Sequence, residues 1–216
     1  MKQGVFYFLG FVAEILKSIS LWHMTKNRLE AFSDGVIAII ITIMVLELKV
    51  PHGASFSDLT PLAAKFVSYV LSFLYVGIYW NNHHHLLHTV KTVNGGILWA
   101  NMFLLFCLSL IPFSTGWMGE NHFAALPMAL YGVTLFLCGL AYSILTQVII
   151  GAHGGKKSVL SKAIGNDFKG KISVVVYAIA ILLSFQNEWI AFALYCSVAL
   201  MWLIPDSRIE RTLSNE

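Results

Sequence analysis

Charged side chains are scarce in this sequence. They make up 12% of its 216 residues, whereas about 25% is usual for a soluble globular domain. Hydrophobic residues make up 57%, and the mean hydropathy is +0.73. So little charge excludes a soluble domain of appreciable size. We therefore expect an integral membrane protein whose main surroundings are the lipid bilayer.

Cysteine is also rare, and the few cysteines present do not form a recognisable pattern. Cys107, Cys138 and Cys196 all lie inside apolar segments, and an odd number in such places argues against a disulfide framework. The net charge is only +3, which gives no indication of a nucleic-acid partner. The Gly-rich stretch at 151–156 lacks the spacing of a phosphate-binding loop. We expect no cofactor, and no Ser/His/Asp arrangement predicts a catalytic residue.

Long apolar runs are what the sequence has in abundance. A membrane-spanning helix needs roughly 20 apolar residues, and the chain has room for about six of them. Helices are expected because the runs lack the two-residue alternation of a membrane barrel. The predicted spans are 32–50, 62–82, 96–113, 123–150, 172–185 and 189–204. The predicted fold is therefore an all-α membrane protein with six transmembrane helices per chain.

The basic residues predict the orientation of these spans. With both termini on one side, 12 of the 14 Lys and Arg residues fall on that side, and Lys49 and Lys65 fall on the other. Loops rich in Lys and Arg stay in the cytoplasm. Both termini are therefore expected to be cytoplasmic, and six spans with this bias indicate a prokaryotic plasma membrane.

Three regions can be distinguished along the chain. Residues 1–23 contain an apolar stretch interrupted by Glu14 and Lys17, which is too short to span. This extension is either an amphipathic helix on the membrane or not part of the native start, with translation beginning at Met24. The six-helix domain is predicted at 24–206, and a cytoplasmic tail at 207–216.

A polar patch introduces the first apolar run. Arg28, Phe32, Ser33 and Asp34 precede the stretch 36–46, in which Thr42 has the one polar side chain. An acid at the edge of a membrane helix is costly unless it has a partner or a polar pathway beside it. This segment is therefore the first candidate for a functional site.

The first helix has the spacing of a pore-lining helix. Ile39, Ile43 and Leu46 follow each other at i, i+4 and i+7, so they share one face, and Thr42 lies within about 60° of Ile39. Around a common axis, several copies would present apolar rings, which gate by dewetting, and one hydroxyl ring. A buried structural helix is the alternative, because the helix is apolar all round and spacing alone does not select the side that faces an axis.

The pattern Arg28-x3-Phe32-Ser33-Asp34-Gly35, followed by an Ile-rich run with Thr42, resembles the signature of the potassium-channel family of the lysosomal transmembrane protein 175 type. More narrowly, it is similar to the bacterial members, which have one six-helix unit per chain. The stretch from Tyr79 to His84 is also similar. The resemblance implies a homotetramer that passes potassium ions passively, in preference to sodium, through a central pore lined by the first helices. The Thr-Val-Gly-Tyr-Gly filter of ordinary potassium channels is absent, as the family implies.

The resemblance also implies roles for individual residues. Ile39 matches the narrowest ring of the pore, Ile43 and Leu46 match further apolar layers, and Thr42 matches the layer linked to potassium selectivity. Ala38 stands where some members have Ser, which removes a possible second hydroxyl ring.

A structural polar cluster is implied at the inner end of the first helix. Its members on that helix are Arg28, Phe32, Ser33 and Asp34. Asp34 is expected to be neutralised either by Arg28 or by one of four candidate partners: Asn81, Asn82, His83 and His84. A position near the helix N-terminus would favour the Asp34 carboxylate through the helix dipole.

Two other functions stay open. A small secondary transporter is one, although the spans have neither a mid-membrane acid–base pair nor a clear inverted repeat. A histidine-box membrane enzyme is the other, because His84 and His88 share a helix face as metal ligands do. Such enzymes need several histidine boxes, so we expect neither a metal site nor enzymatic activity.

Overall fold

The computed structural model describes residues 25–155, 161 and 167–203. The predicted extension 1–23, the proposed start at Met24 and the predicted tail 207–216 lie outside the described residues.

The described residues form helices joined by turns and loops, and they contain no β-strand. The long helices are α1 Lys26–Leu46, α2 Ala63–His88, α3 Gly95–Ser109, α4 Ile111–Glu120, α5 Ala125–Ala152, α6 Phe168–Leu183 and α7 Glu188–Leu203. A short helix at Phe56–Leu59 and a 3₁₀ turn at Thr60–Leu62 lead into α2. Since α3 and α4 follow each other as one span, the order agrees with six predicted spans.

Four helical stretches of the described chain are long and apolar enough to cross a membrane: Lys26–Leu46, Phe56–His88, Gly95–Glu120 and Ala125–Ala152. Helices α6 and α7 have 16 residues each, or about 24 Å at the usual rise of a helix. That is a little shorter than the hydrocarbon core of a bilayer, roughly 30 Å. The two short helices pack against each other and against α5, so they complete the bundle as a hairpin.

The first helix begins at Lys26 and ends at Leu46, whereas the sequence pattern predicted 32–50. The early start has local causes. Thr25 is extended, its carbonyl accepts from the backbone N–H of Leu29 at 3.2 Å, and Leu29 is buried. Lys26 also lies 3.8 Å from Glu30, an i,i+4 pair that favours the first turn. A polar first turn therefore belongs to the helix, which hydropathy alone did not reveal.

The third span is broken between α3 and α4. Pro112 is the second residue of α4, and a proline without an N–H is tolerated in the first turn of a helix but not in its interior. The helix therefore stops at Ser109 and restarts at Ile111. It continues to Glu120, beyond the predicted end at 113. Pro112 was the signal for the break.

Two cores hold the bundle together. In the first, α1 packs on α2 and α3 through buried side chains such as Ile37, Ile40 and Leu104. The second core joins α2, α5, α6 and α7 around four buried tyrosines, Tyr75, Tyr131, Tyr177 and Tyr195. Two of their hydroxyls donate to backbone carbonyls, Tyr75 to Tyr195 at 2.6 Å and Tyr195 to Met128 at 3.3 Å, which satisfies polar groups inside an apolar bundle.

The two ends of the bundle differ in their charged residues. At one end, which we call the basic end, the Lys26 ammonium donates to the carbonyl of His88 at 2.9 Å. At the same end, the backbone N–H of Lys91 donates to Nε2 of His153 at 3.1 Å. At the opposite end, Lys65 and Glu120 form a 2.9 Å ion pair between α2 and α4.

Candidate functional site

Helix α1 has one buried face and one exposed face. Leu29, Ser33, Ile37, Ile40 and Met44 are buried against the rest of the chain. They repeat at intervals of three and four residues, so they form a single stripe along the helix. The structure therefore settles which side of α1 packs within the subunit, which the sequence pattern left open.

The predicted pore residues lie on the opposite side of α1. Ile39 is 59% exposed, Ile43 43% and Leu46 74%, whereas Ile37 and Ile40 are 2% exposed. Thr42 is exposed on the same side. A membrane helix that buries one stripe and leaves an equally apolar stripe uncovered presents that second stripe to lipid or to another chain.

Thr42 places a hydroxyl within this exposed stripe. Its Oγ1 donates to the carbonyl oxygen of Ala38 at 2.9 Å, the usual arrangement for a threonine inside a helix. The bond uses the hydroxyl proton, and an oxygen that donates its proton can still accept a hydrogen bond or contact a cation. The exposed stripe is therefore apolar except at the turn of helix around Ala38 and Thr42.

A buried polar network fastens α1 to α2 and α3. The Asn101 amide donates to Ser33 Oγ at 3.0 Å, and its Oδ1 lies 2.7 Å from His83 Nε2. Ser33 in turn donates to the carbonyl of Leu29 at 2.8 Å. Ser33 and Asn101 are 0% exposed and His83 is 1% exposed. Within an apolar bundle these bonds select one arrangement of the three helices, because a buried polar group without its partner is costly.

Asp34 has a different partner from those predicted. The indole N–H of Trp80 donates to its carboxylate at 3.0 Å, while His83 is engaged by Asn101. Because α1 begins at Lys26, Asp34 lies two turns into the helix. The expected stabilisation by the helix dipole falls off within the first turn, so it does not apply, and the indole hydrogen bond from α2 takes its place.

The remaining residues of the predicted cluster are less closely engaged. Arg28 is exposed and Phe32 is 47% exposed. Asn82 donates to Ile78 of its own helix at 2.8 Å, and Asn81 is half-buried. His84 is exposed and stacks on Trp80, with ring centroids 6.2 Å apart. Of the predicted cluster, the structure therefore brings Ser33 and His83 into one hydrogen-bonded network. The other predicted members are not part of that network.

The histidine-rich end of α2 does not resemble a metal centre. The rings of His85 and His88 lie edge-on to His84, at 5.7 and 6.2 Å between centroids. Over the described ranges, no group of three or more His, Cys, Asp or Glu side chains is placed to hold a metal ion.

Two site residues were not assigned to the cluster from the sequence. Asn101 stands alone in an apolar run, which is typical of a side chain that forms an interhelical hydrogen bond but does not identify its partner. Trp80 lies near the end of an apolar run, where tryptophans of the aromatic belt at a membrane surface are common. Their depth in the membrane could have predicted that they lie close to Ser33 and Asp34. The basic ends of α1 and α2 and the start of α3 all lie at the same membrane face.

The helices and their buried polar network define an integral, multi-pass membrane protein. A family model described as the endosomal/lysosomal potassium channel TMEM175 matches residues 28–112. A protein of Chryseobacterium sp. (strain P1-3), named a potassium channel, is 58% identical over 190 residues, which cover 88% of this chain and 98% of that protein. The chain belongs to the TMEM175 family.

Two further proteins support this assignment. One from Streptomyces collinus, also named a potassium channel, is 34% identical over 131 residues, which cover 56% of this chain and 62% of that protein. The crystal structure of a lysosomal potassium-selective channel TMEM175 homolog from Chamaesiphon minutus matches with a TM-score of 0.71 at 24% identity. The match covers 84% of this chain and 97% of that one, so the two share a fold.

Proposed function

We propose that this protein is a passive, potassium-preferring cation channel in which the α1 helices of a homotetramer line a central pore. One observation carries the proposal. Helix α1 buries the stripe of Ile37 and Ile40 and leaves the stripe of Ile39 and Leu46 uncovered, in a chain whose matching family model and bacterial relatives are named potassium channels. An ion channel carries out no covalent chemistry, so no catalytic residue is required.

Copies of α1 around an axis would form a hydrophobic pore. Ile39, Ile43 and Leu46 would contribute successive apolar rings, with Ile39 at the constriction. Such rings close a pore by excluding water when narrow and admit hydrated ions when slightly wider. The exposure of these side chains in the subunit, between 43% and 74%, supports their position at an interface between copies.

Thr42 would provide the preference for potassium. A ring of hydroxyl oxygens can replace part of the hydration shell of a cation, and potassium releases its water more readily than the smaller sodium ion. Since Ala38 offers no second hydroxyl, we expect this preference to be modest. The carbonyl of Ala38 is held by the Thr42 hydroxyl, which keeps the threonine rotamer fixed.

Two sets of hydrogen bonds at the basic end, which we call the polar anchor, would hold α1 in register within each subunit. The bonds from Asn101 to Ser33 and from Trp80 to Asp34 fix both the rotation of α1 and its depth in the membrane. A rotation of one residue, about 100°, would turn Ile39 away from the axis. The anchor therefore acts on the pore at a distance, by orienting the helix.

Potassium flux from proteoliposomes is the first test. Ile39→Ala and Ile39→Asn are expected to raise passive flux, because each removes part of the apolar constriction. Ile179→Ala on α6 is the matched control, since Ile179 is also an exposed apolar residue, at 47%, and its flux is expected to equal that of the unaltered protein. Equal flux in all four proteins would remove Ile39 from the conduction path.

The reversal potential under opposed potassium and sodium gradients tests the role of Thr42. Thr42→Val keeps the shape of the side chain and removes the hydroxyl, so the reversal potential is expected to move towards zero. An unchanged reversal potential would contradict this role. Uptake that saturates and requires an ion gradient, without passive flux, would instead identify a secondary transporter.

Assembly and orientation need separate measurements. The mass of the detergent-solubilised complex is expected to equal four chains, and any other number contradicts the tetramer. For orientation, Lys91→Cys at the basic end is expected to react with a membrane-impermeant thiol reagent only from the cytoplasmic side, and Glu120→Cys only from the outside. The reverse pattern would contradict cytoplasmic termini in a prokaryotic plasma membrane.

A further inference from the structure

A cavity of about 590 Å³ lies away from α1, between α2, α5, α6 and α7. Its volume falls within the range of about 300–1,000 Å³ that is usual for small-molecule sites. None of the residues assigned to the pore or to the polar network of Ser33, Asn101 and His83 lines it. The function proposed above therefore leaves this cavity without a role.

The cavity is about as deep as one leaflet of the bilayer. On α5 its lining runs from Gly139, at the middle of the helix, to Ile150 near the basic end. Gly139 and Ile150 are 11 positions apart, which corresponds to about 16 Å along the helix, and half of the hydrocarbon core is about 15 Å. On α6 the lining runs back from Asp167 at the basic end to Tyr177. The cavity thus extends from the basic end of the bundle to the middle of the membrane.

The walls of the cavity change in character along this depth. The deep part is lined by Tyr75, Gly139, Val174 and Tyr177, which present aromatic and aliphatic surface. The part at the basic end is lined by polar side chains: Asn82, Gln147, Asp167 and Lys171. An apolar interior with a polar mouth at the membrane surface matches an amphiphile that inserts one apolar chain into the cavity and keeps its headgroup at the mouth.

The mouth carries both signs of charge. Asp167 caps the N-terminus of α6 by accepting from the Gly170 N–H at 3.1 Å, so its carboxylate is fixed in place. Lys171 is exposed one turn further along the same helix. Trp202 completes the rim, donating to Ser173 at 2.9 Å, as a tryptophan at the headgroup level does. A headgroup that carries both an anion and a hydrogen-bonding cation is complementary to this mouth.

We propose that the cavity binds one phospholipid with a phosphate and a primary ammonium in its headgroup, that is, a phosphatidylethanolamine. One acyl chain occupies the apolar part between α2, α5 and α6. The phosphate lies at Lys171, and the ammonium donates to the carboxylate of Asp167. This site is independent of the proposed pore.

Native mass spectrometry of the purified protein tests the proposal, with phosphatidylethanolamine, phosphatidylglycerol and phosphatidylcholine added separately. One saturable lipid per chain is expected, with phosphatidylethanolamine bound most tightly. Phosphatidylglycerol lacks the cation, and the quaternary ammonium of phosphatidylcholine has no N–H to donate. Equal binding of the three lipids would overturn the assignment of the headgroup.

Two variants at the mouth separate the charges. Asp167→Asn keeps the helix cap, because Asn is as good a cap as Asp, and it is expected to abolish the preference for phosphatidylethanolamine over phosphatidylglycerol. Lys171→Gln is expected to weaken all three lipids by about fivefold, the effect of one lysine near a lipid phosphate. Unaltered lipid affinities in both variants would contradict the site.

A substitution inside the cavity tests the acyl chain. A Cβ atom at Gly139 would meet Tyr79 and Tyr177 at ordinary distances of 3.7 and 3.9 Å, so Gly139→Leu is expected to fold, fill the cavity and abolish saturable lipid binding. Gly151→Leu is the matched control on the same helix, where a Cβ has open space, and it should bind lipid normally. If Gly139→Leu keeps its lipid but loses subunits, the cavity belongs to a contact between copies, which overturns the proposal.

Discussion

Replacing Asn101 with Leu tests the buried polar network directly. The two side chains have the same number of heavy atoms and the same branching, so the substitution leaves no cavity. It removes the hydrogen bonds to Ser33, at 3.0 Å, and to His83, at 2.7 Å. His83 Nε2 is then left in a buried position without this partner, while Ser33 keeps its bond to Leu29.

The expected loss of stability follows from these two bonds. Interhelical hydrogen bonds in membrane proteins contribute about 0.6 kcal/mol on average and about 1.7 kcal/mol at most. Two such bonds therefore contribute between about 1.2 kcal/mol at the average value and about 3.4 kcal/mol at the maximum, and we take a value near the middle of this interval. We therefore expect Asn101→Leu to lower the free energy of unfolding by about 2 kcal/mol. For a chain of this length the melting temperature would fall by about 4–8 °C.

Thermal unfolding in detergent, followed by circular dichroism, measures this change. Ser33→Ala should lower the melting temperature by about half as much, and the double variant should lose less than the sum, because both changes remove the same bond. Ser184→Ala is the control. Ser184 is equally buried, but its hydroxyl bonds to Ile181 of its own helix, so its removal should have little effect.

One result would refute this reasoning about the network. If Asn101→Leu melts at or above the temperature of the unaltered protein, the apolar surface gained outweighs the hydrogen bonds lost. The network would then specify the arrangement of the helices without stabilising it. Potassium flux of the same variant would test the consequence, since a misplaced α1 should change conduction even in a stable protein.

Three further variants test other contacts. Trp80→Phe keeps an aromatic ring but loses the donor to Asp34. Because Trp80 is 46% exposed, we expect the free energy of unfolding to fall by only about 1 kcal/mol, and an unchanged melting temperature would contradict this. In Gly132→Ala the new Cβ would collide with the hydroxyl of Tyr195. Overpacking of this kind is expected to lower the free energy of unfolding by about 1–3 kcal/mol, whereas an unchanged stability would show that α7 can shift to make room. Lys65→Gln breaks the ion pair at the opposite end, for which we expect less than about 1 kcal/mol, and this small effect should vanish in concentrated salt.

The number and order of the spans could be predicted from the sequence because the bilayer imposes a single length scale on apolar runs. The boundaries were less accurate where a polar turn joins a helix. Lys26 and Glu30 belong to α1, although their hydropathy indicates a loop. The break before Pro112 was missed for the opposite reason, since uniform apolarity concealed a local backbone constraint.

The orientation of α1 could not be predicted from its own sequence. Ile37 and Ile39 are chemically identical, yet one is 2% and the other 59% exposed. What distinguishes them is the rest of the bundle, because Ser33 lies above Ile37 on the same stripe and bonds to Asn101 on α3. Tertiary contacts, and not periodicity, therefore select the face of an all-apolar helix.

The partner of Asp34 illustrates a second limit. Sequence reasoning favoured amides and histidines, since these commonly bond to a carboxylate. Trp80 lies on the same helix as those candidates and its long indole reaches Asp34, while His83 turns towards Asn101. Several donors lie on neighbouring turns of α2, and their side-chain rotamers decide which of them bonds to Asp34. These rotamers could not be predicted from a single sequence.

The placement of the hydrogen bonds along α1 has a mechanical consequence. In the described part of the chain, the bonds from α1 to other helices arise from Lys26, Ser33 and Asp34. Beyond Asp34, a further 12 residues of α1, about 18 Å, are held to their neighbours by packing. A bend of about 10° in the helix just beyond Asp34 would displace Leu46 by about 3 Å while the residues that form these bonds stay in place. The basic end of α1 is thus held in place by hydrogen bonds. The part of the helix that carries Ile39, Ile43 and Leu46 can move relative to that end.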